Sequence, residues 1–341
     1  MTNGFHVDAE LSAWENVAEQ IERPAILIGN GASCAIWDRF RYQSLYERAC
    51  QEDLEHYLSV HDRALFANLN TTNFEAVLGA LATTKLVNRA LGIQSDLIEE
   101  RYQSIQASLA SAVRAVHIPW LMLTDDRKAE ISRALRQFEF VFSTNYDLLV
   151  YWAMMHENAA DFRDYFFGGE QFDVSNTEIW GERTKVLYLH GGLHLYTSPT
   201  GGTFKRPAVP WTNLLELFGT PYRDSAVPLI VSEGSSDEKI AAISRSDYLT
   251  FAHSQFSSCE CSLVVFGHSL GETDEHLVRA MRNWRNRRIA VSLLPAEPRH
   301  IVARKAALHE RLPNADLLFF DASTHPLGRP ELQIAAGEGL P

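Results

Sequence analysis

Cysteine is scarce: four in 341 residues. Four are too few for the disulfide framework of a small secreted domain. Cys259 and Cys261 are one residue apart, and Cys34 and Cys50 have no second CxxC to join, so no zinc knuckle is expected. Long apolar runs are also missing. None reaches the roughly 18 residues that a membrane span requires. The opening MTNGFHVDAELSAW has no basic region and no apolar stretch, which predicts no signal peptide. Positive charge is in short supply, with 31 Lys and Arg against 43 Asp and Glu, a net charge of −12. Such a chain repels a phosphate backbone at long range, which argues against direct nucleic-acid binding. One small anion held by local dipoles is still compatible with it. These shortages predict a reduced, cytoplasmic, metal-independent protein with no membrane or nucleic-acid partner.

What is present is an ordinary globular mixture, 46% hydrophobic and 22% charged, long enough to bury a full core. At about 150 residues per domain the length suggests two units. Residues 8–22 place Leu11, Trp14, Val17, Ala18 and Ile21 on one helical face. Ala25-Ile26-Leu27-Ile28 then reads as a buried strand that stops at Gly29. From 37 to 137 the pattern is helical, with segments at 43–58, 73–91, 94–116 and 127–137, and with Thr72 and Glu75 at capping-box spacing. Strand-like runs return at 138–143, 186–189, 229–232, 262–266, 289–294 and 316–320. Helical patterns at 145–157, 237–256, 273–286 and 298–311 lie between them. Segments 193–197 and 203–209 flank Ser198-Pro199-Thr200-Gly201-Gly202 and read as a hairpin. Continuous apolar strands alternating with helices predict an α/β fold, a doubly wound, mostly parallel sheet. The sheet domain is expected over 1–36 and 138–330, with an all-helical insert at 37–137 and a flexible tail at 331–341.

In such a sheet, ligands bind at the carboxyl ends of the strands. Four unusual segments fall there. Gly29-Asn30-Gly31-Ala32-Ser33 is a glycine turn whose amides suit a pyrophosphate, or simply a strand-to-helix turn. Ser143-Thr144-Asn145-Tyr146-Asp147 offers donor and acceptor groups for ribose hydroxyls or a water; equally, Thr144 or Asn145 suits a helix N-cap. His190-Gly191-Gly192 puts an imidazole, a general base near neutral pH, beside two glycines that leave space. Gly267-His268-Ser269-Leu270-Gly271, with Asp274 at a helix start, suits a second nucleotide pocket.

GHSLG also fits the G-x-S-x-G elbow of serine hydrolases, with His190-Gly191-Gly192 upstream as an oxyanion-hole segment. That reading needs an acid and then a histidine after Ser269. Asp321 and His325 have the right order but sit four apart on one segment. It also leaves GNGAS and STNYD without a role.

GNGAS, STNYD, LHGG and FGHSLGETD, in this order and each after a strand, resemble the sirtuin-like family of NAD-handling domains over about residues 24–325. The resemblance implies a Rossmann-like fold with NAD as the bound molecule. It implies that Gly29, Asn30, Gly31, Ala32 and Ser33 meet the pyrophosphate. Thr144, Asn145 and Asp147 would meet the nicotinamide ribose, His190 with Gly191 would be catalytic, and Gly267 and Ser269 would hold the adenosine side. Deacylating members carry paired CxxC motifs and a Gly-Ile-Pro-Asp-Phe-Arg run. This chain has no CxxC pair, and its corresponding stretch is Cys34-Ala35-Ile36-Trp37-Asp38-Arg39-Phe40-Arg41. The chain looks more like zinc-less bacterial members implied to hydrolyse NAD in antiphage defence. Asn73-Phe74-Glu75, Val231-Ser232-Glu233-Gly234 and Ser246-Asp247-Tyr248-Leu249 add to that likeness.

The resulting expectation is an NAD+ glycohydrolase with His190, Asn145 and Asp147 as catalytic residues and NAD as substrate. The alternatives are an NAD or ADP-ribose sensor without turnover, and a serine esterase using Ser269. A homo-oligomer or a partner defence protein is expected to control the activity, with the helical insert as oligomer contact or lid.

Overall fold

The computed structural model describes residues 7–156, 161–166, 170–179, 181–198, 202–206, 227–232, 234–283 and 287–335. The apolar runs form strands whose side chains are covered on both faces, as parallel strands require. In chain order they are β1 Ala25–Ile28, β2 Phe140–Ser143, β3 Phe162–Arg163, β4 Thr184–Tyr188, β5 Gly191–Thr197, β6 Thr203–Lys205, β7 Val227–Ile230, β8 Leu263–Phe266, β9 Arg288–Leu293 and β10 Asp316–Asp321. All four side chains of β1, β2 and β8 are buried. Seven strands form one sheet in the order β10-β9-β8-β1-β2-β4-β3. Every pairing in it is parallel. This is a Rossmann-like doubly wound α/β fold, and the strand order reverses between β1 and β8.

Register decides where the loops go. Ile28 stands opposite both Ser143 of β2 and Phe266 of β8, and Ser143 stands opposite Tyr188 of β4. Four central strands therefore end level, and the loops after them share one edge.

Between β1 and β2 the described residues form helices and no strand, apart from an isolated bridge from Trp37 to Ile334. The two long helices here, Phe74–Leu91 and Asp96–Val116, turn at Gly92, whose φ of 71° suits a residue without a Cβ. Phe74, Val77, Leu78 and Leu81 recur at helical spacing and are buried.

Several boundaries differ from the sequence reading. The helix expected over 8–22 is only Trp14–Ala18, because Ser12 pairs with Phe320 of β10 and Thr324 Oγ1 accepts from Trp14 N–H. The segment 43–58 is helical only over Tyr42–Ala49, and Ser59 then caps a separate helix, Val60–Asn68. The N-cap before Phe74 is Asn73, whose side chain accepts from Glu75 N–H at 2.9 Å; the cap expected at Thr72 is not used. The helix expected over 237–256 is two, Ser236–Ile243 and Asp247–Ser258, because Ser246 caps the second. The run at 229–232 does not join the parallel sheet. As β7 it pairs antiparallel with β5, in a three-stranded sheet with β6, since the chain leaves β4 after Tyr188 and enters β5 of the hairpin at Gly191. Nor is the chain loose from 331. Leu332 and Ile334 are buried, and Ile334 N–H donates to Ile36. The parts of the expected segments at 157, 199–201, 207–209, 233, 284–286 and 336–341 lie outside the described residues. None of the described helices is long and apolar enough to cross a membrane.

Candidate functional site

The loops after β1, β2, β4 and β8 meet at the carboxyl edge of the sheet and form two adjoining corners. The first joins the glycine turn to STNYD. Asn145 Nδ2 donates to Ser33 Oγ at 2.7 Å and to the Gly29 carbonyl at 3.1 Å. Ser33 Oγ donates to Asp147 Oδ2 at 2.5 Å, while Asp147 Oδ1 accepts from Leu149 N–H at 2.9 Å. Asp147 thus starts the helix Leu149–Met155 and also fixes Ser33. All three side chains are buried. Burial pushes the Asp147 carboxyl above its ordinary range, against the bonds from Ser33 and Leu149. Asn145 Oδ1 is buried and has no hydrogen-bond partner among the described residues. Thr144 faces β1, its N–H and Oγ1 both donating to the Ile28 carbonyl.

The amides expected to cradle a phosphate are engaged inside the fold. Gly29 N–H donates to Phe266 at 3.0 Å, Gly31 N–H to Gly267 at 2.8 Å, and Ala32 N–H to Gly29 at 2.9 Å. The glycines allow this crossing at the reversal point. A Cβ on Gly29 would sit 2.7 Å from the Gly267 oxygen, and one on Gly31 2.8 Å from it. Asn30 points away and donates to the Phe40 carbonyl. Behind Ser33 a cavity of about 20 Å³, lined by Ile28, Ala32, Leu149 and Leu327 among others, is room for one water at most.

The second corner surrounds His190, two residues past β4. Its Nε2 lies 2.9 Å from Nε2 of His276, so one ring donates and the other accepts. Asp274 Oδ1 is 4.0 Å from His190 Nε2, and Asp274 Oδ2 is 3.6 Å from His268 Nε2. His268 Nδ1 accepts from Leu270 N–H, which leaves the proton of the neutral ring on Nε2, facing Asp274. Lys239, fully buried, donates to Asp274 Oδ1 at 2.8 Å and lies 3.4 Å from Glu75 Oε2. Thr273 Oγ1 donates to that same Glu75 oxygen at 2.9 Å. Burial lowers His190 well below the usual imidazole range and lowers His276 to about 3. Although burial disfavours its charge, the Glu75 and Asp274 carboxylates hold Lys239 above its ordinary value, while burial pushes the Glu75 carboxyl up against the pull of Lys239 and Thr273. The Asp274 carboxyl is depressed: burial opposes this, but His268, Lys239 and His190 outweigh it.

The glycines beside His190 do not open space. Gly191 has φ 76°, and a Cβ there would lie 1.9 Å from the Leu229 carbonyl oxygen of β7. A Cβ on Gly192 would meet the His194 ring at 3.2 Å. His194 is a core residue, stacked on Tyr151 at 4.6 Å and fully buried.

His190, Asp274 and His276 present donor atoms within 4.8 Å of one another, a set that could hold a metal ion. The Lys239 ammonium already supplies positive charge to that carboxylate and opposes a second cation.

Of the expected site residues, Ser33, Asn145 and Asp147 come together in one corner and His190 and Asp274 in the other. Gly29, Gly31 and Gly267 form the backbone crossing between them. Ser269 joins neither: it is exposed, and its carbonyl accepts from Arg304. The serine-hydrolase arrangement is not built. The positive φ angles of this turn fall on Gly267 and Leu270, not on Ser269, so Ser269 is not held in a strained elbow. His325 is buried among Trp14, Phe266 and Phe320 and accepts from Leu327 N–H, and Asp321 accepts from Ser323. The helix Glu275–Arg282 buries Leu277, Val278, Ala280 and Met281. Lys239 and His276 escaped sequence reasoning. The available signal was a Lys between Ser236 and Ile243 on a buried helix face, at i, i+3 and i+7.

No curated protein matches the chain. Among solved structures it is similar to a Sir2 homologue in complex with NAD, at 14% identity over 96% of this chain and 94% of the other, with a TM-score of 0.37. A mutant Sir2 homologue in complex with ADP ribose follows at 15% identity, 93% and 94% coverage and a TM-score of 0.37. Sir2 with a p53 peptide and NAD+ is similar at 13%, 93% and 94%, and 0.34. These likenesses are distant, and the fold assignment rests on the sheet order itself. Residues 26–327 match DUF4917, a domain of unknown function, and the chain belongs to that family.

Proposed function

We propose that the protein is an NAD+ glycohydrolase that cleaves the bond between nicotinamide and ribose. The observation that carries the reading is the level ending of β8, β1, β2 and β4, which brings the four resembling motifs to one edge. The C–N bond electrons leave with neutral nicotinamide, and the transition state resembles an oxocarbenium ion. A water oxygen bonds to the anomeric carbon, and its proton passes to a base, giving ADP-ribose. His190, kept neutral by burial, is that base. Asn145 Oδ1, unpartnered, accepts from a ribose hydroxyl or from the water. Asp147 locks Ser33 and Asn145 in place, which is orientation rather than proton transfer. The resemblance to defence proteins extends the proposal to an antiphage effector in the cytoplasm. Exposed Leu86, Val87, Leu91, Ile93 and Leu97, at the tip of the helical insert, are the surface we assign to self-assembly.

The test is chromatography of purified protein with NAD+. Nicotinamide and ADP-ribose are expected from the wild type, with a loss of at least ~100-fold in His190→Ala and Asn145→Ala. Tight NAD binding with no nicotinamide release would favour the sensor reading. A flat trace with no binding in wild type and variants would remove the proposal.

A further inference from the structure

Three ionic side chains in the second corner come from three separate parts of the chain. Glu75 is on the first long helix of the insert, Lys239 on the helix Ser236–Ile243, and Asp274 just before the helix Glu275–Arg282. Each contact is short, from Thr273 to Glu75 at 2.9 Å and from Lys239 to Asp274 at 2.8 Å, with Lys239 3.4 Å from Glu75. Burying such charges is costly unless they pair, and removing one strands the others. The insert is also fitted closely to this spot. A Cβ on Gly234 would lie 1.7 Å from the Gly79 nitrogen of the insert helix, so backbone meets backbone there. Gln106 of the next helix donates to Ser232 Oγ at 3.2 Å.

We infer that Glu75, Lys239 and Asp274 form a buried ion relay that positions the His190–His276 pair, so the helical insert is a working part of the site rather than a cover over it. The inference rests on the proposed role of His190 and assigns three positioning residues to that site. His190 is faced by His276 on the helix Glu275–Arg282, by Asp274 before it, by Lys239 and by His268. His253 stacks on His276 from the helix Asp247–Ser258. Burial, Lys239, His276 and His268 all disfavour the imidazolium of His190, and Asp274 alone favours it. The relay therefore holds the base between opposed charges, and Glu75 ties that balance to the insert.

The experiment pairs the pH profile of NAD+ cleavage with NMR titration of ¹⁵N-labelled imidazoles in NAD-free protein. Asp274→Asn is expected to shift protonation of His190 to lower pH, and Lys239→Met to higher pH, by about one unit each. The double variant Lys239→Met/Asp274→Asn removes the pair without changing formal net charge, leaves Glu75 in the neutral form that its burial favours, and is expected to fold and return toward the wild-type titration. Glu75→Ala is expected to lower kcat at least ~10-fold with KM unchanged, and Glu75→Gln, which still accepts from Thr273 but carries no charge, to recover little of it. Opposite shifts in the two single variants support the relay, because a purely structural loss moves both the same way. Shifts of the same sign, no shift, or a double variant no closer to wild type than either single would overturn it. The NMR arm reads the relay even if no NAD+ is cleaved, so failure of the relay and failure of the glycohydrolase reading are distinguishable.

Discussion

The two corners of the site solve the same problem in different ways. In the first, Ser33, Asn145 and Asp147 are wired by hydrogen bonds of 2.5–3.1 Å between two loops that follow adjacent strands. One carboxylate is buried there with a hydroxyl and an amide for company. In the second, an ammonium, two carboxylates and three imidazoles are packed together from four separate stretches, at 75, 190, 239 and 268–276. A hydrogen-bonded corner tolerates loss of one partner at modest cost, whereas a buried ionic corner does not. Both corners shift a protonation, but in the first burial acts on Asp147 against hydrogen bonds, whereas in the second burial and opposed charges act together on His190.

That contrast can be broken or sharpened by stability measurements. The largest effect is expected from Lys239→Met, which leaves Asp274 and Glu75 facing each other. A loss of about 3–5 kcal/mol in urea unfolding is expected. A loss below ~1 kcal/mol would place the two corners on the same footing. Next is acid. His117, buried next to the first corner, donates from Nδ1 to Ile118 and accepts Leu148 N–H on Nε2, and burial lowers it to about 4. Its folded value lies below the unfolded one of about 6.5, so the unfolded chain binds the proton first. Stability is therefore complete above pH 6.5 and falls as the pH drops toward 4, by about 3 kcal/mol for this group. Urea midpoints measured across that range should fall, and His117→Gln should flatten the slope. The smallest effect is expected from Asn145→Ala, about 2 kcal/mol from two lost hydrogen bonds. If Asn145→Ala destabilised more than Lys239→Met, the comparison would be reversed.

Much of the fold was legible in the sequence. Ala25-Ile26-Leu27-Ile28 and Leu263-Val264-Val265-Phe266 read as strands because parallel strands buried on both faces leave unbroken apolar runs. The split of 237–256 was hidden, since Ser246 as a cap looks no different from a serine on a helix surface. The antiparallel course of Val227–Ile230 was equally hidden, because a short apolar run carries no mark of direction or sheet. Glu75 read as a capping residue, yet its carboxylate faces Thr273, almost two hundred positions away.

By itself, then, the sequence determined the alternation of strand and helix, the helical stretch between β1 and β2, and the four polar loops. Those depend on local periodicity and on turn residues, which are properties of neighbours along the chain. Tertiary structure alone decided that the glycine-turn amides are engaged by Phe266 and Gly267, that Gly191 admits a β7 carbonyl, and that Lys239 lies between Glu75 and Asp274. The strength of a buried charge depends on which opposite charge stands a few ångströms away. Sequence distance says nothing about that separation.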